Sequence, residues 1–468
     1  MKRIAVVLLL PLVLVAVASA ASPKITISPV VDVSRGGGDV LSQNETPIAV
    51  NPANSANIIT GANDWNYNDG CAVNTSNDGG KTWTPTLPNG FLPGITKYTN
   101  DPNVAGTGAY DAGGDPTIAF SPDGKIAYYV CQAFDFTSPY DIALLLNRSY
   151  DGGYTWQSSG LVQISTFQGN GTTSGSNGKF ADHENIHVDS TNGTVYVSWA
   201  EFSGNTHSPV YVAASHDQGN TWTLNKVTAG NVKNNQDQRV VTDASGNAYL
   251  VFDNGVNGGK GTTVLYASKS TDGGATWSTP VQFATLMNPV CVFPGYCFNI
   301  SGGAFRAGGS YPAPAFDNVH NRLDVLIADI RGPYAQMYLY SLKPDLTLES
   351  TTQLPGAAGD HFMGELSAAP NGRLDASYWD RSYSANTLVD LTYATSSDGG
   401  HTWREARVTP TGYDPSQWGV PAGANSFRPF IGDYNGIAST NTSAYMTWTG
   451  VADPAPLNLE INFATATP

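Results

Sequence analysis

The stretch "SYDGGYTW", Ser149–Trp156, decides how the chain is read. Near-copies stand at Ser76 ("SNDGGKTW"), Ser215 ("SHDQGNTW"), Ser270 ("STDGGATW") and Ser396 ("SSDGGHTW"). The shared pattern is S-x-D-x-G-x-T-W, with its acid at Asp78, Asp151, Asp217, Asp272 and Asp398. Each element of the pattern suits a tight turn. Asp accepts backbone N–H bonds across it. The Gly at the fifth position adopts a conformation that a Cβ opposes. Thr adds a local hydrogen bond, and Trp carries a large apolar ring into the core. Five acids spread around a repeat cannot converge on one substrate, so these aspartates are expected to be structural.

The spacing sets the unit. Successive boxes are separated by 55–73 residues, except the last step, which is close to twice that. One unit has therefore lost its box, and "YLYSLKPDLTLES" around Ser341 fits as the degenerate copy. The period suits a four-stranded propeller blade better than a solenoid repeat. Each unit carries a first apolar strand ("PTIAFS", "NIHVDS"), a second ("TVYVSWAEF", "NAYLVFDN") and a third running into the box. No long amphipathic helix is present in this pattern. Fifty Gly and 29 Pro residues, with 13% charged residues, fit short strands and many turns. First strands near Ile48, Ile118, Ile186, Val240, Pro314, Gly364 and Phe430 count seven units, with six blades as the alternative. The seventh unit has three strands, and the lone segment "KITISPVVDV" (Lys24–Val33) can supply its fourth and close the ring.

S-x-D-x-G-x-T-W resembles the Asp box, or BNR repeat, of the sialidase-like propellers. The resemblance covers essentially the whole chain after its first twenty residues. "RPFIGDYNGIA" and "YWDRS" are similar to segments of exported bacterial proteins of that kind. It implies a single all-β propeller over residues 21–468 and a carbohydrate-active protein, most simply an exo-acting glycosidase of the sialidase type. The alternative is a non-catalytic propeller that binds glycan or protein.

Residues 1–20 have the layout of an export signal: Lys2 and Arg3, the apolar run "IAVVLLLPLVLVAV", then "ASA" before Ala21. The expected location is extracellular, periplasmic or at the cell surface, with no membrane span after the signal is removed and a monomeric chain. The formal charge of −15 becomes −17 without Lys2 and Arg3. Such a chain repels nucleic acid at long range. Four Cys in an exported chain point to disulfides: Cys291 and Cys297 within one loop, leaving Cys71 and Cys131 as a second pair.

In a four-stranded blade, the turn between strands three and four lies on the face opposite the starts of the inner strands. The site is therefore expected at those starts, around the channel mouth. Three residues before the first-strand anchors stand Glu45, Asp115, His183, Asp237, Tyr311 and His361; Asp182 and Asp360 stand one step earlier in two units, and Arg428 lies near the seventh. The sialidase resemblance implies three arginines clamping a carboxylate, for which Arg239, Arg381 and Arg428 are the reachable residues. It also implies a Tyr nucleophile helped by a Glu, here Tyr311 and Glu45, and an Asp acid, here Asp115 with Asp237 as a second aligned choice. The family's F-R-I-P segment has no counterpart in this chain. No cofactor is expected for this chemistry, while a structural Ca²⁺ held by oxygen ligands is compatible with the many acidic loops.

Overall fold

A computed structural model describes residues 24–468 except 35–41, 66–69, 86–91, 100, 102, 138–139, 158–160, 168–178, 204–207, 229, 231, 256–262, 292–296, 298, 424–425 and 452–458. The expected export signal, 1–20, lies outside the described residues. Seven antiparallel sheets form a seven-bladed propeller. Blade 2 is typical: Ala112–Phe120, Ala127–Phe134, Ile142–Ser149 and Val162–Phe167 run from the channel outward in chain order. Blades 1, 3, 4, 5 and 6 begin their inner strands at Ile48–Val50, Lys179–Val188, Gln236–Thr242, Ala313–Asp317 and His361–Ala368. The seventh inner strand is Gly436–Ser439, six residues later than the apolar anchor at Phe430 suggests. Among the described residues no helix is long and apolar enough to cross a membrane.

The last blade is completed from the other end of the chain. Thr26–Ile27 and Val31–Asp32 both pair antiparallel with Leu459–Thr467, in the register Thr26 opposite Thr467 and Asp32 opposite Asn462. This is the closure expected from the lone N-terminal segment, and it covers what is otherwise an open edge. Two disulfides add covalent ties. Cys71 in blade 1 bonds Cys131 in blade 2, and Cys291 bonds Cys297 in the connection between blades 4 and 5.

The repeated octapeptide closes the turn before the outer strand of blades 1, 2, 3, 4 and 6. In blade 2, Asp151 Oδ1 accepts from the backbone N–H groups of Tyr154 (3.0 Å) and Thr155 (2.9 Å), while Oδ2 accepts from the Thr155 hydroxyl (2.6 Å). Ser149 Oγ donates to Asp151 and receives the Gly153 N–H, both at 2.8 Å. The same Asp–Thr and Ser–Gly bonds recur at Asp78, Asp217, Asp272 and Asp398. The Trp indole closes the loop by donating to the Gly carbonyl at Trp83, Trp156 and Trp403.

The Gly of each turn also meets the preceding blade. Gly80, Gly153, Gly219, Gly274 and Gly400 all have positive φ, from 78° to 99°. A Cβ on Gly153 would lie 2.6 Å from Ile59 Cδ1 of blade 1, and one on Gly80 would overlap the Phe463 ring of blade 7. Trp83 packs edge-on to the same Phe463 ring, with centroids 5.2 Å apart. Asn57 of blade 1 donates to the Gly152 carbonyl of blade 2 at 2.8 Å. The turn is thus both a staple within one blade and the dock for its neighbour.

Two predictions follow from these turns. Gly79 and Gly80 share positive φ (77° and 86°), but only Gly80 faces another blade; nothing lies within 4 Å of a Cβ at Gly79. Gly79→Ala is expected to cost about 1–2 kcal/mol from left-handed backbone alone. Gly80→Ala should cost about 1–3 kcal/mol more from overpacking. Equilibrium denaturation of the two variants checks the difference.

The second concerns pH. Hydrogen bonds to Thr276 and Ser270 hold Asp272 down at about 2; at Asp78 and Asp398 partial burial opposes the shift, but bonds to Thr82 and Thr402 still bring them to about 2. A carboxylate with a lowered folded pKa contributes stability that is present above the unfolded value near 4 and lost as pH falls through the folded value. The melting temperature is therefore expected to drop between about pH 4 and pH 2. The triple variant Asp78→Asn, Asp272→Asn, Asp398→Asn should flatten that drop.

Candidate functional site at the channel mouth

The inner strands do not start as regular strands. In blades 1, 2, 3, 4 and 6 the pairing of the first two strands slips by one residue, at Glu45, Asp115, His183, Asp237 and Met363. Each of these residues has φ between 51° and 60°. Gly432 takes a similar position ahead of the seventh inner strand, with φ of 91°. A bulge with a left-handed residue re-aims one side chain out of the sheet's alternation. For a residue with a Cβ this backbone costs roughly 1–2 kcal/mol, and Asp and His tolerate it better than most. Four of the five non-glycine bulge residues carry ionisable groups.

These bulges gather Glu45, Asp115, His183 and Asp237 at the channel. Asn63 joins the first two: its Nδ2 donates to Glu45 Oε2 (2.6 Å) and its Oδ1 accepts from the Asp115 N–H (2.7 Å). The Asp433 N–H donates to Glu45 Oε1 at 3.1 Å. His183 places Nδ1 2.5 Å from Asp237 Oδ1 and Nε2 3.6 Å from Asp433 Oδ2. Gln236 Nε2 donates to Asp182 Oδ2 at 2.7 Å.

A cavity of about 190 Å³ opens here, with Glu45, Asp115, Asp182, Asp433, Arg306 and Arg428 on its wall and Trp65, Phe134, Phe180 and Phe430 among its aromatic lining. A neighbouring pocket of about 30 Å³ is bounded by His183, Glu184, Asp237, Arg239, Tyr311 and Tyr434. That volume suits about one water molecule.

The charges are crowded. Burial raises the Glu45 carboxyl well above its ordinary value, and Asp115 and Asp433 push it further. Burial likewise drives Asp182 up to about 7, with His183 opposing and Asp115 reinforcing the rise. Asp253 is raised by burial and by sharing a hydrogen bond with Asp237. Burial works against charge on His183, but Asp237 outweighs it and raises the imidazole. Burial also works against charge on Asp433, yet Arg306, with which it forms an ion pair, holds its carboxyl below the usual range. Burial, then Asp433 and Asp237, raise the Tyr311 phenol.

The other sequence-derived candidates lie apart from this cavity. Arg239 forms a two-pronged pair with Glu365, Nη2 to Oε1 at 2.8 Å, and borders the smaller pocket. The Arg381 guanidinium donates to the carbonyls of Ser301 and Thr387 beside Phe305. Asp360 accepts from the Ala335 N–H (2.9 Å) and from Asn386 (2.6 Å), a structural bridge at the start of blade 6. His361 is buried against Asp380, Nε2 to Oδ1 at 3.1 Å. In register, Met363 and not His361 matches Glu45, Asp115, His183 and Asp237. Tyr311 packs edge-on to His183, ring centroids 5.1 Å apart, and no hydrogen bond links it to a carboxylate among the described residues.

Arg306, Asp433, Glu184 and Tyr434 were not singled out by the sequence. Asp433 sits in "RPFIGDYNGIA", one residue after the positive-φ Gly432, so its signal was present in the quoted motif. Arg306 had none. It comes from the connection between blades 4 and 5, which crosses to the approach of blade 7: Arg306 N–H donates to the Pro429 carbonyl (2.8 Å) and Ile431 N–H to the Arg306 carbonyl (3.1 Å). Its guanidinium stacks over Phe430 at 4.0 Å.

Among solved structures, the chain is similar to a protein of unknown function from Dyadobacter fermentans DSM 18053, at 12% identity and a TM-score of 0.53, covering 95% of this chain and 100% of that one. It is more loosely similar to an α-L-arabinanase of Penicillium chrysogenum complexed with arabinobiose (12% identity, 94% and 98% covered, TM-score 0.48). A Hadza microbial sialidase gives 14% identity, 89% and 75% covered and a TM-score of 0.46. At these identities the first likeness concerns the fold alone, and the other two are too loose to argue from. No family model matches the chain, and no curated protein matches it by sequence.

Proposed function

We propose that this is an exported, carbohydrate-active propeller of the Asp-box, sialidase-like kind, cleaving a glycosidic bond at the channel mouth. In this reading residues 1–20 direct export and 21–468 form one propeller. One observation carries the reading: four carboxylates converge on a single cavity that also has aromatic walls. Aromatic faces bind the apolar side of a sugar ring, and carboxylates take its hydroxyls or supply acid and base.

The supported scheme is the two-carboxylate one. Glu45 is the proton donor, kept neutral by burial and by the neighbouring acids. Asp433, ion-paired with Arg306, is the ionised carboxylate that faces the developing positive charge on the sugar. Asp115 and Asp182 hold sugar hydroxyls, and Arg428 stands exposed at the rim for a negatively charged substituent. The Tyr-nucleophile scheme, with Tyr311 helped by Glu45 and acid Asp115, has weaker support. Tyr311 lies against His183, Arg239 is engaged by Glu365, and Arg381 is hydrogen-bonded elsewhere. Of the three expected clamp arginines only Arg428 lines the cavity, which favours glycan binding without turnover as the second reading.

Hydrolysis of a panel of fluorogenic glycosides, arabinofuranosides and sialosides included, tests the proposal. Glu45→Gln should lower kcat by about 10²–10⁴-fold on the substrate that is cleaved. Asp78→Asn, in a surface turn on the opposite face, should leave turnover unchanged. No release from any glycoside, with retention on a glycan array, establishes the binding reading instead.

A further inference from the structure

The geometry points to a divalent transition-metal site at the channel mouth, with Asp115, Asp182 and His183 as its ligands and Asp237 as the residue that positions the imidazole. One ligand atom from each of the three lies within 4.8 Å of the other two. Bonds of about 2.0–2.2 Å to one ion need ligand atoms no more than about 4.4 Å apart, so binding requires only a small inward movement of these side chains. The histidine is set for the task by its surroundings. Its Nδ1 lies 2.5 Å from Asp237 Oδ1, so an ion would take Nε2, displacing any proton held there. A carboxylate behind a histidine is the usual support of a metal-bound imidazole. Asp182 has similar support from Gln236. The left-handed bulge at His183 breaks the strand's alternation, which explains how the adjacent Asp182 and His183 can serve one centre.

A second observation is independent of these three residues. Glu184, only 4% exposed, has no well-formed hydrogen bond to either carboxylate oxygen. It borders the pocket that His183 also lines, and burial, then Asp115 and Asp182, raise its carboxyl well above the ordinary value. Asp433, 3% exposed, leaves Oδ1 unpartnered on the cavity wall. A buried carboxyl without donors is costly to ionise unless a cation stands near it; Asp433 already has Arg306, so Glu184 is the group such an ion would relieve. An imidazole with two carboxylates suits Zn²⁺ or Mn²⁺; Ca²⁺ prefers six to eight oxygen ligands. The structural Ca²⁺ with which the sequence is compatible would be a different site from this centre.

The test needs no sugar, so its outcome is separable from that of the hydrolase reading. The chelator-stripped full-length protein is titrated calorimetrically with ZnCl₂, MnCl₂ and CaCl₂, and bound metal is counted after gel filtration. One equivalent of Zn²⁺ or Mn²⁺ is expected. Asp115→Asn, at a half-buried position, and His183→Gln should each abolish that equivalent. Asp237→Asn should weaken it about 10–100-fold while leaving the stoichiometry at one. His361→Gln, a second buried histidine outside the cluster, should leave it unchanged. Circular dichroism of each variant confirms folding before titration. Absence of a stoichiometric site, binding of Ca²⁺ alone, or binding indifferent to both Asp115→Asn and His183→Gln overturns the inference.

Discussion

The carboxylate that accepts two backbone N–H groups and a threonine hydroxyl in the turn before the outer strand is the interaction on which the rest depends. At Asp151 it fixes a turn tight enough to bring Gly153 against Ile59 of the preceding blade. In five of the seven blades the turn sets how closely its neighbour packs, and this packing helps hold the inner strands around the channel. The acid is structural, and at the far end of blades 1 and 2 Glu45 and Asp115 share Asn63.

The two faces of the propeller divide labour by backbone conformation. On the face of the turns, positive φ falls mostly on glycine, where the strain is small, with Gln218, Asn321 and Leu346 as exceptions. At the channel mouth it falls on Glu45, Asp115, His183, Asp237 and Met363, where a side chain has to be carried at some cost. Residues held in sparsely populated backbone regions cluster where a site needs fixed geometry. The mouth follows that rule four times with an ionisable group.

Most of the architecture was legible because the octapeptide is local: eight consecutive residues specify a turn whatever surrounds them. The box gave the blade period, the count of first strands favoured seven blades over six, and the lone segment Lys24–Val33 gave the ring closure. The inner-strand register was less legible, because a one-residue bulge reverses the alternation of sides on passing it. In "HFMGELSA" the apolar residues Phe362 and Met363 precede the slip and Leu366 follows it, so a period-two reading anchored on Gly364 selects His361 in place of Met363. Arg306 was out of reach for another reason. It belongs to a connection with no periodicity, and its partner Asp433 is 127 residues away in sequence.

The way the ring is closed has a mechanical side. Thr26 lies opposite Thr467 in an antiparallel pair, so the two ends of the described chain emerge at the same end of the sheet. Tension applied to the two ends therefore loads the bonds between these strands one after another, as in opening a zip, beginning at Thr26 and Thr467. The bonds from Val31 and Asp32 to Phe463 and Asn462 are reached only afterwards. Such a clasp satisfies an edge that would otherwise recruit a foreign strand, but it resists pulling weakly. The Cys71–Cys131 bond lies between blades 1 and 2, beyond the clasp, so peeling can open the seam while the first two blades stay joined.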